Sequence, residues 1–139
     1  MADLHAELRP LCHATFEVGA PTVVGSGPAG TRLIAEITGA RFEGERFKAS
    51  LMGASSADWA VVEPDGRILA DVRMLLRTDD DAVVALHYQG RGDAASGFTY
   101  SAPLFETGDE RYQWLTKLLA VGKSSFDGTT LTYEMYEVT

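Results

Sequence analysis

The alternation of apolar and polar residues along Ile68–Arg77 constrains the fold of this 139-residue chain more than any other feature. Every second residue is apolar, and Asp71, Arg73 and Arg77 share the opposite face, which is the period of a β-strand with one buried face. An acidic turn at 79–81 follows, and glycines recur at turn-like intervals along the chain. The pattern predicts a protein built from many short strands.

The remaining segments of strand character follow the same rule, and one helix interrupts them. The predicted strands are Leu8–Val18, Thr31–Thr38, Arg41–Met52, Ala57–Glu63, Ile68–Arg77, Ala82–Tyr88, Phe98–Phe105 and Thr129–Val138. A capping box at Thr107–Glu110 precedes apolar residues at helical spacing, so we expect one short helix before the last strand. About eight strands with one late helix predict an all-β fold, an antiparallel barrel or sandwich, in a single domain over residues 1–139.

Charge and cysteine content exclude several classes of function. Twelve Lys and Arg against 20 Asp and Glu give a net charge of −8, so we expect no nucleic-acid partner. The single cysteine, Cys12, cannot form an internal disulfide. We find no apolar run of membrane-spanning length and no signal-peptide core, and we therefore expect a cytoplasmic protein without a membrane partner.

The glycine-rich stretch Val23–Gly30 matches the dinucleotide fingerprint G-x-G-x-x-G but lacks its context. The residues after it meet Gly39 too soon for a helix, and no second βαβ unit follows. We interpret the stretch as a glycine loop between strands. The three histidines have no metal-ligand spacing, so no cofactor and no metal are expected.

The residues with acid/base potential are Asp58, beside Trp59, and the pair Asp71 and Arg73. On a strand, Asp71 and Arg73 project from one face, where the cation would orient the carboxylate and lower its pKa. The alternation of apolar and polar residues, taken alone, favours the interpretation that Asp71 and Arg73 form an ion pair on the solvent-facing side of their strand. Aromatic residues such as Trp114 could equally close the ends of a small barrel.

An ordered set of short motifs resembles the DUF3237 family, also called UPF0311, from about Leu8 to Val138. The motifs are Gly25…Pro28-x-Gly30-x-Arg32, Gly39-x-x-Phe42-x-Gly44, Ala57-Asp58-Trp59, Asp65-Gly66, Asp71-x-Arg73, Thr78-Asp79-Asp80, Phe105-Glu106-Thr107-Gly108-Asp109-x-Arg111-Tyr112-x-Trp114-Leu115 and Val121-Gly122. The resemblance implies an antiparallel, up-and-down, calycin-like β-barrel. Family members are usually treated as proteins of unknown function, and some are associated with polyketide cyclisation or lactone formation.

The resemblance also implies a set of pocket residues. Asp58 and Asp71 become candidate general bases, with Arg32 and Arg73 as candidate binders of a carboxylate or oxyanion. The candidate ligand-binding residues are Trp59, Tyr112, Trp114 and Lys48. Lys48 is a departure, because the family usually has glycine there, as it does at Ala40, Ser56 and Asp81.

Two functions remain open, with a third alternative. The first is a cofactor-free enzyme that binds a small molecule and performs a cyclisation, lactonisation or isomerisation by proton transfer. The second is a ligand-binding protein without chemistry. The third is a structural or assembly protein, with Trp59, Trp114 and the last strand at a homodimer interface.

Overall fold

A computed structural model describes residues 2–139 as an 11-stranded antiparallel sheet with one short helical segment. The strands are β1 (Leu8–Val18), β2 (Thr22–Gly27), β3 (Gly30–Glu43), β4 (Lys48–Leu51), β5 (Ala57–Val62), β6 (Arg67–Thr78), β7 (Val83–Asp93), β8 (Phe98–Ser101), β9 (Leu104–Glu106), β10 (Ala120–Phe126) and β11 (Thr130–Val138). The helical segment is a 3₁₀ turn, Glu110–Tyr112, that continues into α1, Gln113–Thr116.

Eight of the strands close into a barrel. The barrel order is β1, β3, β5, β6, β7, β8, β10 and β11; each strand pairs with the next one in this order, and β11 pairs with β1. The prediction of an all-β, antiparallel, up-and-down barrel with a helix before the last strands is therefore confirmed. Of the other strands, β2 pairs with β3, β4 lies between β3 and β6, and β9 pairs with β7.

The two ends of the barrel differ in how their interiors are filled. At the end where β3 and β6 finish, fully buried side chains that include Phe42, Phe47, Leu76 and Leu115 form a solid core under α1. We call this the plugged end. The opposite end, where β5 finishes and β11 begins, is the open end. Because barrel interiors of this strand number are just filled by side chains or hold one small ligand, the difference decides where a ligand can bind.

Local structure departs from the predicted segments at several points. The expected strand Arg41–Met52 is the end of β3 and all of β4, joined by a turn, and β10 was not predicted. The helix is shorter than expected, and its N-cap is Asp109, whose carboxylate accepts the Arg111 amide proton. Thr107 accepts the Asp109 amide proton instead of capping the helix.

The interpretation of the glycine-rich stretch as a loop is only partly correct, because Val23–Gly27 belong to strand β2, which was not predicted, and only the turn at Pro28 and Ala29 separates it from β3. Gly27 pairs with Gly30 across the turn that joins β2 to β3. Gly30 has φ +120°, and a Cβ there would lie 2.6 Å from the Val62 carbonyl oxygen. Glycine at this position therefore allows β3 to approach β5 closely.

Candidate functional site

A cavity of about 400 Å³ occupies the barrel interior at the open end. Its lining is mainly aliphatic and aromatic and comprises Phe16, Val18, Gly19, Pro21, Leu33, Ala35, Ile37, Asp58, Ala60, Val62, Ile68, Ala70, Val72, Tyr88, Thr99, Ser124, Phe126, Gly128 and Leu131. Asp58 is the one charged residue in this set. The volume lies within the ~300–1,000 Å³ range of small-molecule pockets. We call this space the interior cavity.

Asp58 sits at an interruption of the barrel wall. Strands β5 and β6 pair from Ala57 to Val62, but the ladder skips Trp59 and Ala60. The Asp58 Oδ1 atom fills part of this interruption, because it accepts a hydrogen bond of 3.0 Å from the Asp71 backbone amide. A side chain from the interior thus replaces a backbone carbonyl as the acceptor for β6.

An arginine stabilises the same interruption from the outer face. The Arg32 Nη1 atom donates a hydrogen bond of 2.7 Å to the carbonyl oxygen of Trp59, which has no partner in the β5–β6 ladder. Arg32 and Trp59 both line a groove on the outside of the barrel. The wall between Asp58 and this outer face is therefore held together by two side chains as well as by backbone pairs.

Burial raises the pKa of the Asp58 carboxyl above its ordinary value. The hydrogen bond from the Asp71 amide opposes this rise, the negative charge of Asp71 adds to it, and the positive charge of Arg32 again opposes it. Tyr88 lines the same cavity, and its burial raises its pKa well above the ordinary value. The cavity thus places one carboxyl of raised pKa beside a phenol that stays protonated at neutral pH.

The structure separates the predicted site residues by the barrel wall. Arg32, Trp59, Asp71 and Arg73 lie together along an outer groove of about 360 Å³, whereas Asp58 faces the interior cavity. Asp71 forms a hydrogen bond with the His87 ring, with 3.1 Å between Oδ1 and Nε2. The outward position of Asp71 and Arg73 follows the alternation of β6.

Sequence reasoning did not select His87 or Tyr88. His87 pairs with Arg73 between β7 and β6, so once that register is known it must project beside Arg73 and Asp71 on the outer face. Tyr88 follows it and therefore points inward. The missing signal was the pairing of the two strands, which a single sequence does not contain.

The other three predicted ligand-binding residues lie at the plugged end, away from the interior cavity. Tyr112 is buried, and its hydroxyl donates a hydrogen bond of 2.7 Å to Asp80. Trp114 packs against this core, and the Arg46 guanidinium lies 4.5 Å from the centre of its ring. Lys48 is exposed on β4 near Asp79, whose pKa is lowered mainly by its hydrogen bonds from Arg41 and to a smaller extent by the charge of Lys48. The structure does not bring these residues together with Asp58.

Residues 2–139 contain no cluster of three or more His, Cys, Asp or Glu side chains that could hold a metal ion. No helix among them is long and apolar enough to cross a membrane.

Comparisons with known proteins agree with this architecture. The model of a family described as "Protein of unknown function (DUF3237)" matches residues 6–138. A UPF0311 protein of Rhodopseudomonas palustris is 26% identical over 140 residues, which cover 89% of this chain and 91% of that protein. A β-barrel-like protein of Acinetobacter baumannii superposes with a TM-score of 0.90 at 30% identity and covers 99% of each chain.

A more distant relative carries a functional name. The hydroalkoxylation enzyme phnH of Penicillium herquei is 26% identical over 112 residues, which cover 81% of this chain and 70% of that enzyme. A crystal structure of an enzyme from the same fungus superposes with a TM-score of 0.73 at 22% identity and covers 99% of this chain and 98% of that one. The latter likeness concerns the fold alone.

Proposed function

The chain belongs to the DUF3237 family, and we propose that it binds a small, largely apolar molecule in the interior cavity and isomerises it by proton transfer through Asp58. The observation that carries the proposal is the position of Asp58. It is the one charged residue among those that line an otherwise mainly apolar cavity. Because burial raises the pKa of the Asp58 carboxyl, its carboxylate is a stronger base than an exposed aspartate, and general acid–base catalysis requires a positioned group that accepts a proton and returns it.

The proposed reaction is an internal addition, with a proton moved from oxygen to carbon. The Asp58 carboxylate takes the proton of a substrate hydroxyl while that oxygen bonds to one carbon of a conjugated C=C bond. The π electrons of the C=C bond then take the proton back from Asp58 at the other carbon. Substrate and product are isomers, so the reaction consumes no oxidant, reductant or co-substrate.

The distant relative supports this class of reaction. The name of phnH describes a hydroalkoxylation, in which the O–H bond of an alcohol adds across a C=C bond, with the oxygen on one carbon and the hydrogen on the other. The apolar lining of the cavity favours an aromatic or polyketide-like substrate over a sugar or a phosphate ester. The protonated Tyr88 hydroxyl provides a donor beside Asp58 that can bind a substrate carbonyl.

A simple probe tests the proposal. We would follow the conversion of 2′-hydroxychalcone to flavanone, an internal hydroalkoxylation that changes the absorption spectrum, with the wild type and with Asp58→Asn. We expect the wild type to exceed the uncatalysed rate and the variant to lose about 10²-fold or more of that acceleration, the usual contribution of a positioned acid–base group. Asp65→Asn, on the Asp65-Gly66 turn, is the matched control and should keep full activity.

Binding and turnover are measured separately. Flavanone should raise the melting temperature of the wild type and of Asp58→Asn alike, because Asn keeps an acceptor for the Asp71 amide. A variant that retains full turnover would overturn the role of Asp58. A thermal shift without turnover would instead support the alternative of a ligand-binding protein without chemistry.

A further inference from the structure

A groove on the outer face of β5 and β6 is separate from the interior cavity. Its lining comprises Arg32, Ser55, Ala57, Trp59, Asp71 and Arg73, and its volume is about 360 Å³. The small side chain of Ala57 lies between the larger neighbours, with Arg73 as its direct partner on β6. We call this feature the outer groove. It offers enough space for a mono- or bicyclic aromatic molecule.

The cations of the outer groove have spare hydrogen-bonding capacity. Within residues 2–139, the Arg73 guanidinium has no hydrogen-bond or ion-pair partner. Arg32 uses Nη1 for the Trp59 carbonyl and has its other guanidinium donors left for a ligand. Two arginines that face one groove with free N–H donors are typical of a site for a planar anion, because the planar guanidinium group matches the geometry of a carboxylate.

The charge balance restricts the ligand to a single negative charge. Asp71 borders the groove and offsets one of the two arginines, although its hydrogen bond with the His87 ring holds the carboxylate on the β7 side. One net positive charge remains beside a protein of net charge −8. A phosphate dianion or a nucleotide would meet repulsion from Asp71 and from the rest of the surface.

The aromatic wall of the outer groove restricts the ligand further. Trp59 is a large side chain with 54% of its surface exposed, although the next residue along β5, Ala60, is buried. Its indole lies in the groove with both arginines. An exposed tryptophan beside cations provides a stacking surface for a flat apolar ring whose acidic substituent reaches the guanidinium groups.

We propose that the outer groove is a second binding site, specific for an aromatic monocarboxylate, with the carboxylate on Arg32 and Arg73 and the ring against Trp59. The site is independent of the interior cavity, so it does not rest on the proposed catalytic role of Asp58. Its ligand approaches from solvent along the outer wall, whereas the ligand of the interior cavity enters at the open end.

Fluorescence and calorimetry with benzoate test this site. Trp114→Phe leaves Trp59 as the only tryptophan, so benzoate should change the emission of that variant in a saturable way. Calorimetry on the otherwise unaltered chain should give the same dissociation constant. Benzamide, which has the same shape without the charge, should bind at least about tenfold more weakly, since hydrogen bonds to charged groups contribute more than neutral ones.

Substitutions locate the site and supply controls. Arg73→Gln should weaken benzoate about tenfold or more, and Ala57→Leu should abolish binding because it fills the groove without changing any charge. Arg91→Gln removes an exposed arginine from the neighbouring strand β7 and should leave the affinity unchanged. The interior cavity should bind flavanone equally well in all three variants. A failure of the outer-groove proposal can therefore be distinguished from a failure of the function proposed for the interior cavity.

Three results would overturn the proposal. Equal affinities of the wild type and Arg73→Gln for benzoate would show that the outer groove does not bind it. Benzamide that binds as tightly as benzoate would exclude recognition of the carboxylate. Inorganic phosphate that competes at the same concentration as benzoate would make the site a general anion site without selection for an aromatic ring.

Discussion

The Asp58 Oδ1 atom lies 3.0 Å from the backbone nitrogen of Asp71, so a carboxylate from the barrel interior holds β6 where the β5–β6 ladder is interrupted. The interaction gives Asp58 two roles in the structure. It is a structural acceptor in the wall and, at the same time, the one charged group among the residues that line the interior cavity. Its protonation therefore affects both the stability of the barrel and the chemistry proposed for the cavity.

Asp58→Asn should change how stability depends on pH. Burial raises the pKa of Asp58 from 3.8, so between the unfolded and folded values the folded state binds more protons, and this group makes stability fall as pH rises. Asp58→Asn has no titrating carboxyl at this position, so it does not lose stability in this way as pH rises. We expect equal melting temperatures of the two proteins near pH 3 and an advantage of Asp58→Asn that grows from about pH 4 towards neutrality.

Asp127→Asn provides a contrast of opposite sign. The Thr130 and Thr129 amides lower the pKa of Asp127, so its contribution to stability is present at neutral pH and is lost as pH falls. This variant should melt below the wild type at pH 7 and approach it in acid. Identical pH profiles for Asp58→Asn and the wild type would contradict the raised pKa of Asp58.

Gly122→Ala should destabilise the barrel. A Cβ at this position would lie 2.0 Å from Cε1 of Tyr133, and that ring is fully buried and also packs against Tyr88. The ring has to shift, which costs about 1–3 kcal/mol of unfolding free energy. Chemical denaturation measures the loss. Gly27→Ala, with no atom within 4 Å of its Cβ, should be close to neutral.

Cys12 should resist thiol reagents while the protein is folded. The side chain is buried, and its pKa is raised to about 12, first by burial and then by the negative charge of Glu134. Almost no thiolate exists at pH 8, and the reagent cannot reach the sulfur. We expect labelling by a disulfide reagent only at the rate of unfolding, with rapid and stoichiometric reaction in denaturant. Rapid labelling without denaturant would contradict the buried position.

Tyr112→Phe should lower stability without affecting the binding of a ligand in the interior cavity. The change removes the hydrogen bond to Asp80 but leaves the ring against Phe47 and Trp114 at the plugged end. A decrease in melting temperature with unchanged flavanone affinity is the expected result. A large loss of affinity would show that Tyr112 contacts the ligand, as the family resemblance implies.

Alternation within single strands predicted much of the fold. It correctly assigned the faces of β6, because every second residue from Ile68 to Leu76 is apolar and the opposite face carries Asp71, Arg73 and Arg77. It could not assign β5, because five of the six residues of Ala57–Val62 are apolar and the pattern does not show which face of the strand is buried. The inward direction of Asp58 depends on the pairing of β5 with β3 and β6, and a single sequence does not specify that pairing.

The sequence suggested which residues could form a site, but it did not show that the barrel wall separates them into two groups. Four of the residues suggested by family resemblance meet in the outer groove, and a fifth, Asp58, lies behind them. Spacing along the chain does not distinguish the two sides of a wall one residue thick. The position of Asp81 is usually glycine in the family. Asp81 adopts φ +74°, a backbone conformation that glycine favours.

The alternation of β5 makes the interior cavity and the outer groove interdependent during evolution. Ala57 and Trp59 contribute to the groove, and Asp58 and Ala60 to the cavity, so both sites draw on four consecutive residues. Gain or loss of one residue in the preceding loop is tolerable, but the same event inside β5 would exchange its two faces. Such an indel would turn Trp59 into the cavity and Asp58 towards solvent, and would remove both sites in one step.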